Sequence, residues 1–201
     1  MTTLHVPSLH NPMRVLWRAR GSFMRLTCPL FWRRAGHRLQ ITGRMRLGLL
    51  YQNVTIGDDA LIGHDAYLQT GRQGRIEVGD RFSLNDGSRI VASKSVTIGD
   101  NVAIGEYVSI RDQQHRFEAG HGVRDQGFDV APVRIGNNVW IGRGCFIGPG
   151  TDIGDNTVVG ANSVVHGVVP AGVLIAGAPA RVRRRSSNTD RGALQVVEAA
   201  E

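Results

Sequence analysis

The sequence predicts an all-β chain wound as a solenoid of short stacked strands, and three observations carry that prediction. An isoleucine, valine or leucine recurs every six residues through most of the chain, usually with glycine behind it. Glycine is frequent, 26 of 201 residues, while proline is only 7, a balance that fits many tight turns between β-branched strands and argues against disorder or collagen. The two cysteines, Cys28 and Cys145, lie far apart with no metal-ligand spacing around them. Neither a disulfide framework nor a zinc cluster is therefore needed to hold the fold, which suits a reducing cytoplasm.

Residues 1–51 read as a basic N-terminal segment. Between positions 1 and 48 stand nine arginines, no lysine and no acid, so this segment carries +9 of a net charge of +7 and the rest of the chain −2. Within it, "MRVLWRARGSFMRLT" (13–27) predicts an amphipathic helix: Met13, Leu16, Trp17, Phe23 and Met24 gather on one side at 100° per residue, and Arg14, Arg18 and Arg25 on another. Cys28-Pro29 is expected to end it. Two roles suit this helix, closing the open end of the solenoid or making a peripheral contact with a membrane surface or acidic glycan. No nucleic-acid motif accompanies the basic residues, so no nucleic-acid partner is expected. The chain lacks an apolar run near 18 residues and the basic-then-apolar order of a signal peptide, and a soluble cytoplasmic protein is expected.

Residues 52–185 carry the repeat. Hexads run from Ile56, resume at Val78 and Ile98, and run on from Ile135, fifteen in all. Three hexads per turn of a triangular prism give about five coils, starting at Ile56, Val78, Ile98, Ile135 and Ile153. The residues that break the period follow Leu68, Ile90 and Ile110, so all three insertions leave one corner. The longest is the loop 112–133, where a rigid scaffold would display binding groups. Residues 186–201 read as a flexible tail.

Two phrases sharpen this reading, "PVRIGNNVWIG" and "GANSVVHGVVPAGVLIAGAPARVRR". With the hexads they resemble the hexapeptide-repeat acyltransferases, in the galactoside, maltose and nodulation O-acetyltransferase branch and its polysaccharide-modifying relatives. The resemblance covers residues 52–185. It implies a left-handed parallel β-helix, a homotrimer, three acetyl-CoA sites in the clefts between subunits, acetyl-CoA as acyl donor, and no metal.

Acetyl transfer to a hydroxyl needs a base, donors for the developing oxyanion and close positioning of two substrates. His115, five residues beyond Ile110 where the chain leaves the prism, is the candidate base, and the resemblance gives it that role; a solvated loop histidine is the plainer reading. Its context, "RDQQHRF", has Asp-x-x-His where galactoside-type enzymes have Thr-x-x-His, and looks more like the branch that modifies lipopolysaccharide and capsule. By the same match Asn85 holds the acceptor, unless it merely satisfies its own turn. Asp112 either orients His115 or the acceptor, or caps the loop. His121 is the rival base, His64 and His166 occupy corner positions, and Cys145 is read as buried and inert. On the coenzyme side the resemblance points to Trp140 beside the pantetheine channel, to Gly142 and Ala161 as small residues with backbone groups near the thioester, and to Arg184 and Arg181 near the nucleotide phosphates; Arg183 is their neighbour. The function implied is acetyl transfer to a saccharide hydroxyl in polysaccharide or lipopolysaccharide modification. The same scaffold would serve N-acetylation of an amino sugar or antibiotic, and a non-catalytic scaffold is the reading from another class.

Overall fold

The computed structural model describes residues 13–47 and 53–185. The predicted tail, 186–201, lies outside the described residues.

Short parallel strands stack into the three faces of a prism. The first face holds seven, Arg34–Ala35, Val54–Ile56, Arg75–Val78, Ser95–Ile98, Val133–Ile135, Asp152–Ile153 and Val168–Val169. The second stacks Gln40–Ile41, Leu61–Ile62, Ser83–Leu84, Ala103–Ile104, Trp140–Ile141, Val158–Val159 and Val173–Gly177. The third stacks Arg46–Leu47, Tyr67–Thr70, Arg89–Ala92, Ser109–Arg111, Phe146–Ile147 and Val164–Val165. The register is that of the hexads: Ile56, Val78, Ile98, Ile135, Ile153 and Val169 form one column, each the partner of the next. These side chains, with Ile62, Leu84, Ile104 and Ile141 on the second face and Leu68, Ile90, Ile110 and Ile147 on the third, fill the interior. Hexads of this kind fit a left-handed β-helix.

The prism has six full turns and part of a seventh, where about five were expected. The additional first turn comes from the basic segment itself, because Ala35, Ile41 and Leu47 are spaced by six and pair with Ile56, Ile62 and Leu68. The expected boundary at 51 thus falls inside the β-helix. At about 4.8 Å per strand, the six steps of the first face rise by about 29 Å.

The recurring Gly-Asp or Gly-Asn of the hexads is explained at the corner between the first and second faces. There Asp58, Asp80, Asp100, Asn137 and Asp155 each accept, through Oδ1, the backbone N–H of the corresponding residue one turn earlier, at 2.7–2.8 Å. A β-helix corner leaves amides without strand partners, and this side-chain ladder satisfies them. The glycine before each rung makes room for it: a Cβ on Gly79 would lie 2.1 Å from Asp100 Oδ1.

Helix α1, Met13–Phe31, runs beyond the expected stop at Cys28-Pro29, since a proline removes one N–H bond and here only the final turn follows it. The helix lies against the first-turn strands. Gly21 is buried, and a Cβ there would meet the Leu39 carbonyl at 1.9 Å. Arg20 donates to the Thr42 carbonyl at 2.9 Å. The expected apolar side is split: Trp17 and Met24 turn inward and are half-buried, whereas Met13, Leu16 and Phe23 stay exposed. At the other end Ala180–Arg185 folds back antiparallel on Val173–Gly177 and covers the edge of the second face.

Candidate active site

Insertions leave the corner between the third and first faces, as the phasing predicted, and the longest forms a β-ribbon. Gln113–His115 pairs antiparallel with Phe128–Val130, His115 opposite Phe128. The two rings touch, with centroids 4.2 Å apart. His115 is exposed, and its ring nitrogens make no hydrogen bond among the described residues. Farther out, Arg116 pairs with Asp129 at 2.8 Å, and Gln126 bridges the tip by accepting from Glu118 N–H at 2.6 Å and donating to the His121 carbonyl at 3.0 Å. His121 is exposed at that tip.

Of the roles weighed for Asp112, the structure selects the cap. Its side chain is fully buried, and its carboxylate accepts three backbone N–H groups, from Ser93 at 2.7 Å, Lys94 at 2.6 Å and Ser95 at 2.8 Å. Its own carbonyl takes the Ala131 N–H at 2.9 Å. Asp112 therefore ties the foot of the ribbon to the insertion one turn earlier, its carboxylate engaged by three backbone amides.

Asn85 stands on a different edge, the corner between the second and third faces. The residue that follows the interior aliphatic there is Gly63, Asn85, Gly105, Gly142 and Gly160 on successive turns. Asn85 is thus an amide in a column otherwise glycine from Gly63 to Gly160, and its side chain makes no hydrogen bond among the described residues. Farther along this edge lie Gly142 and Ala161, two and three turns away, or about 10 and 14 Å at the strand spacing. The Ala161 N–H has no partner among the described residues, but that of Gly142 is donated to the Val159 carbonyl at 2.8 Å. Of the two expected backbone contacts through an amide, only that of Ala161 is open. Trp140 borders the edge on the second face, 41 % exposed, between Ala103 and Val158 in register. Arg181 and Arg184 are exposed on the returning strand at the end of that face, opposite Ala176 and Leu174.

One chain does not bring Asn85 and His115 together. Between their corners runs the third-face strand Arg89–Ala92, itself about 10 Å long. What spans that distance is a groove of about 540 Å³ lined by Tyr67, Arg89, Tyr107, Arg111 and Gln113 among others. These residues escaped the sequence reading; all but Tyr107 face outward from strands, and alternation marks exposure without marking a cleft. Tyr107 did carry a signal. It occupies a left-handed corner position (φ 56°) filled by Asp65, Gly87, Gly144 and Asn162 on neighbouring turns, where a bulky aromatic is strained.

The remaining candidates are placed without chemistry. His64 is exposed with Nδ1 3.2 Å from Asp65, and the His166 ring lies 5.7 Å from that of Phe146. Cys145 is buried, donates to the Gly160 carbonyl at 3.1 Å, and has its thiol pKa pushed up by burial, which keeps it from being a nucleophile.

A model of the family "Bacterial transferase hexapeptide (six repeats)" matches residues 132–167. Galactoside O-acetyltransferase of Escherichia coli (strain K12) is 39 % identical over 138 residues, 68 % of this chain. The chain spans 66 %, 43 % and 58 % of the lengths of the curated relatives that it matches, at most about two thirds of any of them. Among solved structures, galactoside acetyltransferase in complex with coenzyme A has a TM-score of 0.54 at 27 % identity, covering 96 % of this chain and 92 % of that one. A mutant of AntD, an N-acyltransferase from Bacillus cereus solved with dTDP and coenzyme A, has a TM-score of 0.71 at 16 % identity, over 79 % and 87 %, a likeness of fold alone. The six-residue register and the corner ladder extend, on both sides of residues 132–167, the repeat that this family model describes.

Proposed function

We propose that this chain is an acetyl-CoA-dependent O-acetyltransferase that acts on a saccharide hydroxyl, with surface polysaccharide or lipopolysaccharide as the setting. The observation that carries the proposal is the pairing of two edges: one bears Asn85, Gly142 and Ala161 beside Trp140, and the other bears a ribbon with His115. Since one chain keeps these edges apart, the working site is completed by a neighbouring copy, whose ribbon reaches the Asn85 edge. A homotrimer with three such clefts satisfies this geometry. Phe117, Phe128 and Val130, exposed on the ribbon, supply apolar surface for that contact. The proposed setting is the cytoplasm; among the described residues no helix is long and apolar enough to cross a membrane.

In the proposed reaction acetyl-CoA lies along the Asn85 edge, its pantetheine arm beside Trp140 and its nucleotide toward Arg181 and Arg184. Asn85 positions the acceptor. A ring nitrogen of neutral His115 takes the hydroxyl proton as the oxygen attacks the thioester carbonyl, and the Ala161 N–H helps to hold the thioester. Collapse of the tetrahedral intermediate expels the coenzyme A thiolate, which takes the proton back from the imidazolium. The ester and free thiol leave, and no redox partner or metal enters the balance. The outward groove with Arg89 and Arg111 adjoins the ribbon foot and offers the acceptor a polar floor.

Coenzyme A release from acetyl-CoA against a panel of mono-, di- and lipid-linked saccharides tests this. His115→Ala is expected to lower turnover by about a hundredfold or more with the assembly intact, and His121→Ala to leave it within about twofold. Undiminished release by His115→Ala would reject the catalytic assignment. Failure to bind acetyl-CoA at all would reject the enzyme and favour a scaffold.

A further inference from the structure

Helix α1 has two unlike sides, and only one is used by the fold. The inner side is centred on Gly21, packed against the Leu39 backbone, with half-buried Trp17 and Met24 beside it and Arg14 reaching Gln40 at 3.5 Å. At 100° per residue, Val15, Leu16, Ala19, Phe23 and Leu26 fall within an arc of about 100° centred opposite Gly21. Their exposure agrees: Val15 is 74 % accessible, Phe23 68 % and Leu26 82 %. A 19-residue helix thus presents to solvent an apolar stripe, bordered at Ala19 and Phe23 by a groove of about 450 Å³ against Ile41 and Met45 of the β-helix.

Arginines flank this stripe. Arg18 borders one side and Arg20 the other, and Arg33 and Arg34 are exposed just beyond the helix. No acidic residue occurs before Asp58. That charge pattern selects among occupants. Two copies meeting stripe to stripe would bring like charges together with no carboxylate on either helix to offset them. A negatively charged surface with an apolar interior accepts both the stripe and its arginine borders.

We infer that the outer face of α1 is a docking surface for anionic phospholipid, which holds the β-helix at a membrane surface with Val15, Phe23 and Leu26 dipped among the acyl chains and Arg18 and Arg33 at the headgroups. The helix lies on the bilayer and does not cross it. The inference is independent of the proposed acetyl transfer, because none of these residues belongs to the candidate active site.

The test is flotation of the full chain with vesicles of phosphatidylcholine alone or mixed equally with phosphatidylglycerol. Binding is expected only to the anionic vesicles, and it weakens as salt is raised. Arg18→Gln with Arg33→Gln is expected to weaken binding about tenfold or more, and Phe23→Asp with Leu26→Asp to abolish it, with circular dichroism and solution mass unchanged. Absence of binding to anionic vesicles, or undiminished binding by the Phe23/Leu26 variant, overturns the inference. So does a fall in the solution mass of that variant, which would assign the stripe to contact with a second copy.

Discussion

Replacing Asp112 separates a structural anchor from a substrate contact. Its carboxylate receives three N–H bonds of 2.6–2.8 Å in a fully buried place. Hydrogen bonds to a charged group contribute about 1.5–3 kcal/mol each, but they do not add simply. In Asp112→Ala the amides of Ser93 and Lys94, whose residues are not buried, regain water, whereas that of buried Ser95 does not. One stranded donor and two weakened contacts give a loss of about 3–5 kcal/mol, a large part of the total stability of a domain. Asp112→Asn keeps one acceptor oxygen and turns an amide donor toward donors, so about 2–3 kcal/mol is expected. Urea unfolding of both variants measures this, with acceptor KM followed in parallel. Stability within about 0.5 kcal/mol of the parent together with a raised acceptor KM would refute the anchor and restore Asp112 to the acceptor site.

The ladder, the strained corner and the buried thiol give further tests. Gly79→Ala drives a Cβ to 2.1 Å from Asp100 Oδ1 and is expected to cost about 2–3 kcal/mol; in calorimetry the loss should be less than additive with Asp100→Ala, since both break the same rung. Tyr107→Gly relieves a left-handed backbone at the price of chain entropy, so stability should hold or rise by up to about 1 kcal/mol, while Tyr107→Val should lose about 1–2 kcal/mol by denaturant titration. Cys145 has its pKa raised by burial, so its contribution is intact below the ordinary thiol range and is lost as pH rises through the folded value. In a Cys28→Ser background, iodoacetamide at about pH 8 should therefore label Cys145 slowly in the folded protein and fully after unfolding; rapid labelling of folded protein would contradict the buried thiol.

The repeat was legible because a β-helix imposes one rule at every turn. Ile56, Val78, Ile98, Ile135 and Ile153 could be aligned by counting, and the structure stacks them in that order. The same count was available at Ala35, Ile41 and Leu47, but arginines crowd that stretch and a small alanine fills the first interior place, so charge hid the period. The helix shows a different limit. Periodicity finds an apolar side but not which side meets the fold, and here the inner side is set by Gly21, where backbone approaches backbone. At the site, His115 was marked by its place where the repeat breaks, and Asn85 by the family resemblance alone. The work of Asp112 and the donated amide of Gly142 depend on partners seventeen or more residues away, which no local pattern records.

The corner ladder also has a direction. Each rung borrows its acceptor from the following turn, so a turn is complete only when its successor exists. A chain leaving the ribosome amino end first therefore carries one unfinished layer at its growing tip and finished layers behind it, like a zip closed tooth by tooth. Along the ladder, cutting the folded protein from its carboxyl end would strip acceptors and bare the amides beneath, whereas cutting from the other end would free side-chain oxygens that water solvates readily. The returning strand Ala180–Arg185 is the stop at the end of that zip, arginine-rich and unsuited to receiving another layer.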